Sequence, residues 1–138
     1  MLMAAGTPPR VETRLTTMEL VEDGLVVQRY REGVKIDRAG FEENRTARLG
    51  LVQGRPHAML SVFPADIDFE LEVTTTDHFG PEREQGTLVA LAVVANDTLA
   101  ASLSRIFFTY YPQVFRTGVF TDEVEALAWL RSSVRTTF

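Results

Sequence analysis

Hydrophobic positions along this chain come in short continuous runs and in longer stretches with helical spacing. The plainest run is Thr87–Ala95, TLVALAVVA, where no polar side chain falls between Thr87 and Asn96. A continuous apolar run this short predicts a central parallel strand covered by helices on both faces. Upstream, Val11–Val21 and Leu25–Arg31 flank Glu22-Asp23-Gly24. Asp-Gly between β-prone runs predicts a hairpin, because glycine accepts the positive φ that a tight turn needs. His57–Phe63 reads as the third strand and Phe115–Phe120 as the last.

The helical stretches lie between these strands. Asp37 is placed to cap a helix running to about Gln53, with Gly54 at its stop. Ile36, Gly40, Phe41, Asn44, Ala47, Leu51 and Val52 share one face at helical spacing, and Arg38, Glu42, Glu43, Arg45, Thr46 and Leu49 lie toward the other. Asp97 caps a second helix over Thr98–Tyr111, whose core stripe is Leu99, Leu103, Ile106, Phe107 and Tyr110, and Pro112 ends it. Thr121 caps a final helix over Asp122–Ser133, with Val124, Leu127 and Leu130 on its buried side and Ala128 beside them. Trp129 flanks that inner face and is expected against the sheet or its edge.

Ala65–Phe79 carries two signals. Ile67, Phe69, Leu71 and Val73 alternate with Asp68, Glu70 and Glu72, a strand period. A crossover between parallel strands normally contains a helix, which predicts a short one over Glu72–Phe79, before Gly80-Pro81. The order is then β-β-α-β-(α)-β-α-β-α: one α/β domain over 11–138, a four- or five-stranded mixed sheet with helices on both faces, after a flexible tail at 1–10.

Composition narrows the chemistry. With 138 residues the chain buries roughly two-thirds of its unfolded surface, so no staple is needed. It has no cysteine, which excludes thiol catalysis, thiolate metal sites and disulfides. A net charge of −5 argues against a broad nucleic-acid-binding face. No apolar run reaches the roughly 18–20 residues of a membrane span, and MLMAAGTPPR lacks the pattern of a signal peptide. A cytoplasmic protein is the expectation.

Four stretches, REGVKID (31–37), ENRTARLGL (43–51), SLSRIFFTYY (102–111) and VFTDEVEALAWL (119–130), occur in an order and spacing that resemble the small bacterial STAS-like proteins. These have the fold of the sporulation anti-sigma-factor antagonist (SpoIIAA-like) and are often described beside CRAL-TRIO lipid-binding proteins. The resemblance spans roughly 25–131. It implies a mixed sheet with helices on both sides, and a group in which many members have no assigned role. STAS antagonists carry a phosphorylatable Ser or Thr, usually after Asp, at the start of the helix following the third strand. The corresponding Phe63-Pro64-Ala65-Asp66-Ile67-Asp68-Phe69 has neither, so the phosphoserine switch does not carry over.

No catalytic or metal constellation stands out. Asp66, Asp68, Glu70 and Glu72 read as the wet side of an alternating stretch. His57 and Ser61 share a strand face but sit about 13 Å apart, too far to hydrogen-bond; His78 is the other histidine. Thr74-Thr75-Thr76 reads as β-branched filler at an element edge, with phosphorylation there or at Ser61 left open. Asn44, polar on an inner helix face, either ties the helix to a strand end or lines a ligand pocket. Phe107, Phe108, Tyr110, Tyr111 and Phe115 form an aromatic cluster too large for one core-facing stripe, which leaves Phe108, Tyr111 and Phe115 for a contact surface, with Arg105 and Arg116 beside it. The resemblance, together with the lack of a catalytic or metal constellation, implies a non-enzymatic domain without cofactor or metal. It is expected to act through a protein partner or as a homodimer; the alternative, by analogy with the CRAL-TRIO proteins, is a small apolar or lipid-like ligand in a pocket.

Overall fold

The computed structural model describes residues 8–65, 68–70, 73, 86–96, 98–111, 113 and 115–137, with the backbone alone for 98, 99, 110 and 134–137. Among them are the strands β1 (Arg10–Glu12), β2 (Thr16–Glu22), β3 (Leu25–Tyr30), β4 (Lys35–Ile36), β5 (His57–Phe63), β6 (Asp68–Phe69), β7 (Leu88–Ala95) and β8 (Arg116–Phe120). The helices are α1 (Arg38–Val52), α2 (Thr98–Tyr110) and α3 (Glu123–Thr137).

The main sheet has the order β1-β2-β3-β5-β7-β8. β1, β2 and β3 are antiparallel neighbours, and β3, β5, β7 and β8 run parallel. The mixed α/β layering is as expected, but the sheet has six strands, not four or five. The extra strand arises because Val11–Val21 is not one strand. It breaks at Thr13-Arg14-Leu15, and the preceding residues turn back to pair Val11 with Met18. The hairpin turn has Gly24 at φ 76°.

Register explains why β3 lacks clean alternation. Strand side chains alternate between faces. Val26, Met59 and Leu91 line up across the sheet on one face, with Gln28, Ser61 and Val93 as the next row. Leu25, Ala58 and Ala90, then Val27, Leu60 and Ala92, occupy the other. Both faces of β3 and β5 are covered, so apolar residues appear at successive positions.

α3 covers the second face. Ala126 and Leu130 are fully buried against Ala58, Leu60, Ala90 and Ala92. Trp129 lies beside β8 as expected, its ring 5.5 Å from that of Phe120 and 5.5 Å from the Arg116 guanidinium. Two details differ from the sequence reading. Asp122, not Thr121, caps α3, accepting a hydrogen bond from the Val124 amide at 2.8 Å. Val124, assigned to the buried side, is 75% exposed, and Ala126 takes the inner position with Leu130.

α1 and α2 cover the first face. Asp37 caps α1, accepting from the Gly40 amide at 2.8 Å and pairing with Arg14 at 2.6 Å. That pairing holds its carboxyl below the ordinary 3.8, with the Arg14 hydrogen bond as the leading cause. α1 ends at Val52, with Gln53 and Gly54 both at positive φ. The buried stripe of α1 is Gly40, Asn44, Arg48 and Val52. α2 docks by Ala100 and Ala101, both buried, while Ile106, assigned to its core stripe from sequence, is 52% exposed. The alanines let α2 approach β7 closely, and this sets the rotation of the helix. Phe115 is 7% exposed and belongs to the core on this face. The short β4 pairs with β6 at the end of the layer, where the Glu70 backbone amide donates to the Ile36 carbonyl at 2.9 Å. The expected helix over Glu72–Phe79 lies outside the described residues, apart from Val73, which is helical and buried. Thr74–Thr76, His78, Asp97 and Pro112 also lie outside them.

Gly40 marks the closest approach of α1. A Cβ placed there would sit 2.1 Å from Leu15 Cδ1, itself fully buried. In an exposed helix a Gly→Ala change stabilises by about 1 kcal/mol. Here Gly40→Ala is expected to destabilise by about 1–3 kcal/mol through overpacking, read as a lower urea midpoint with an unchanged slope.

Candidate functional site

Between α1 and α2, over β3, β5 and β7, lies a cavity of about 90 Å³. A single water needs roughly 10–15 Å³ on this measure, so the space holds several waters or one small molecule. It is smaller than a drug-sized pocket. Its origin lies in α2. The alanines that bring the first turns onto β7 are followed by Leu103, Ser104, Phe107 and Phe108, which are half-buried and line the space. Phe107 and Phe108 meet edge-on at 5.6 Å between ring centres.

The floor is built by strand register. Met59, Ser61 and Phe63 of β5 point into it, flanked by Gln28 and Tyr30 of β3 and by Leu91 and Val93 of β7. Phe63 packs against Tyr30 at 4.8 Å and against Phe69 of β6 at 5.7 Å, closing one end. From α1 come Phe41, Asn44, Arg45 and Arg48.

The polar groups are few and deeply set. Asn44 hydrogen-bonds to a strand corner and also lines the cavity. Its Oδ1 accepts from Thr13 Oγ1 at 2.7 Å and Thr16 Oγ1 at 3.3 Å, tying α1 to the β1–β2 corner. Its Nδ2 donates to the Tyr30 hydroxyl at 3.4 Å within the cavity lining. Burial pushes the Tyr30 phenol above its ordinary 10.0, and the Asn44 hydrogen bond and the charge of Arg48 only partly oppose this, so the phenol stays protonated at neutral pH. Arg48 is 3% exposed, with Nη1 at 3.8 Å from Met59 Sδ. One row further along the strand, Gln28 Nε2 donates to Ser61 Oγ at 3.1 Å. Gln28 is 3% exposed, and its Oε1 has no hydrogen-bond partner.

Of the residues singled out from sequence, Asn44 and Phe108 line the cavity. Tyr111 stands beside it, its ring 5.0 Å from Phe107. Arg105 is on the exposed side of α2, and Phe115 is in the core. His57 is fully buried outside the cavity lining, its Nδ1 2.9 Å from the Arg55 carbonyl oxygen. Sequence reasoning missed Gln28, Tyr30 and Arg48, and weighed Ser61 only beside His57 and as a phosphorylation site. Two signals were present: Arg48 lies one helical step beyond Asn44 on the same face, and Gln28 interrupts an apolar strand covered on both sides. No group of three His, Asp or Glu side chains among the described residues is arranged to hold a metal.

The profile of a family described as a domain of unknown function, DUF7793, matches residues 18–134. The chain belongs to that family. The matched span runs from β2 into α3 and contains every residue that lines the cavity, from both helices and from the strands beneath. No curated protein matches this DUF7793 chain. Among solved structures, the crystal structure of an uncharacterized protein of the DUF3478 family from Shewanella loihica PV-4, described as having a SpoIIAA-like fold, superposes with a TM-score of 0.55. The two are 15% identical, with 93% of this chain and 98% of that one covered. At that identity the likeness shows the fold alone, and the fold is the SpoIIAA-like one that the four sequence stretches resemble. No described helix is long and apolar enough to cross a membrane.

Proposed function

We propose that the chain is a non-enzymatic binding domain whose site is the cavity between α1 and α2, and that it takes a small molecule with an apolar body and one polar end. The observation that carries this is a mostly aromatic and aliphatic lining with a few buried polar side chains, Asn44 and Arg48 among them, set into it. Ligand sites have this composition: apolar walls that supply affinity and a few placed polar groups that fix orientation. The cavity size favours one ring or a short chain over a whole lipid. The domain works without a phosphoserine switch, since Phe63–Phe69 offers no hydroxyl.

Thermal denaturation with a panel of monocyclic aromatics and short-chain alcohols tests this. A ligand at a hundred times its Kd stabilises by about 2.7 kcal/mol. For a chain this size that corresponds to a rise of several degrees. Leu103→Phe, which adds bulk from α2 into the cavity, should keep a cooperative melt and abolish the rise. A panel without any shift, or a shift that survives Leu103→Phe, contradicts the assignment.

Contact with a second copy or another protein is a second reading, and α2 supports it. Ile106 is 52% exposed, next to Arg105 and to the half-buried Phe107–Tyr111 pair. A homodimer through this surface predicts that Ile106→Glu sediments as a folded monomer where the wild type is a dimer. A wild type that stays monomeric at the highest attainable concentration rejects the homodimer.

A further inference from the structure

The charge carried by the cavity lining sets the sign of the ligand's polar end, an inference that rests on the ligand-site reading above. Phe41, Asn44, Arg45 and Arg48 share one face of α1 at helical spacing, and all four line the space. Arg48 is buried and Arg45 is half-buried. Among the described residues that line the cavity these two bring the formal charge, and no Asp or Glu stands with them. Arg48 lies against the floor, with Nη1 at 3.8 Å from Met59 Sδ, and its charge is felt at the Tyr30 hydroxyl. A guanidinium has five N–H donors, so Arg48 can serve several acceptors at once, of which the Met59 thioether is a weak one.

The oxygens of the lining are already engaged. Asn44 Oδ1 accepts from Thr13 and Thr16, the Tyr30 oxygen accepts from Asn44 Nδ2, and Ser61 Oγ accepts from Gln28 Nε2. The Ser104 hydroxyl is turned back on the Ala100 carbonyl. Gln28 Oε1 has under 1 Å² of accessible surface and takes no part. The Tyr30 phenol, protonated at neutral pH, keeps its own hydrogen to donate. The lining thus presents positive charge and an excess of donors. Its complement is a group with negative charge that only accepts. We infer that the polar end of the ligand is a carboxylate, held from the α1 side of the cavity by Arg45 and Arg48. The two carboxylate oxygens match the fork of a guanidinium. Burying a carboxylate is unfavourable unless it is paired. Here folding has already stripped bulk water from Arg48, so an entering acid meets a cation with little hydration left to lose. A neutral alcohol of the same shape gains no ion pair, and an ammonium meets like charge.

Benzoate, benzyl alcohol and toluene share one ring and differ at the polar end. Their affinities are measured by calorimetry for the wild type, Arg45→Gln and Arg48→Gln, each first shown to melt cooperatively. Arg45 is only half-buried, so Arg45→Gln carries the test if Arg48→Gln does not fold. The inference predicts that the wild type binds benzoate about tenfold more tightly than benzyl alcohol. It also predicts that each variant weakens benzoate about tenfold and leaves toluene unchanged. Toluene is the control for shape, because an arginine that only props the cavity open would weaken all three probes alike when replaced. Benzyl alcohol binding as tightly as benzoate, or a parallel loss of benzoate and toluene in the variants, overturns the inference and leaves the cavity reading standing. Failure of all three probes to bind the wild type overturns the cavity reading itself, and this inference with it.

Discussion

The rows of side chains on the two faces of the central strands differ in size, and the helices above them follow that difference. On one face Ala58, Ala90 and Ala92 offer little bulk, and α3 answers with Ala126 and Leu130, so helix and sheet meet closely. On the other, Met59, Phe63, Leu91 and Val93 stand up from the same strands. The helices come closest to that layer where their own residues are small. α2 does so at Ala100 and Ala101, and α1 does so at Gly40 against Leu15. Beyond those points of contact, large side chains face large side chains. Protein interiors are close-packed, so a space left there is a feature that the rest of the layer must hold open.

Polar ties do the holding. Asn44 is bonded to Thr13 and Thr16 on one side and to Tyr30 on the other, which fixes the height and rotation of α1 over β3. Asp37 fixes the start of the same helix through the Gly40 amide and Arg14. With α1 set in this way, Phe41 and Arg48 are carried to the cavity edge from one helix and Phe107 and Phe108 from the other. Gln28 and Ser61 then meet on the floor because the β3–β5 register pairs them directly. Fold and site are thus one arrangement: the same register that buries the strands places the amide.

Much of this was legible from residue order. The apolar run Thr87–Ala95, the Asp-Gly turn, the Asp37 cap and the stop at Gly54 each depend on local chemistry, and local chemistry is what a single sequence carries. The four motif stretches also anticipated the SpoIIAA-like fold of the Shewanella structure. What failed depended on partners distant in sequence. The phase of α2 was assigned by its largest side chains, but Ala100 and Ala101 set the contact, so Ile106 turned outward. In α3 the contact is set by Ala126 and Leu130, which leaves Val124 outside. Asn44 was visible as a polar residue on an inner face. Gln28 and Arg48 became significant only when β3, β5 and α1 were brought together, which no local pattern encodes. The β1 strand was hidden because the corner at Thr13–Leu15 carries no Gly, Pro, Asn or Asp to mark a turn.

The central claim is that the space between α1 and α2 exists in the folded protein and is held open rather than filled by its aromatic walls. Crystals of the protein pressurised with xenon test this most directly, because xenon enters empty apolar cavities and reports their position. The account predicts xenon density beside Met59 and Leu91 under the Phe107 and Phe108 rings, with α1 and α2 in the same places with and without the gas. Rings of Phe107 and Phe108 lying flat on Leu91 and Val93, with neither xenon nor ordered water between the helices, would contradict it.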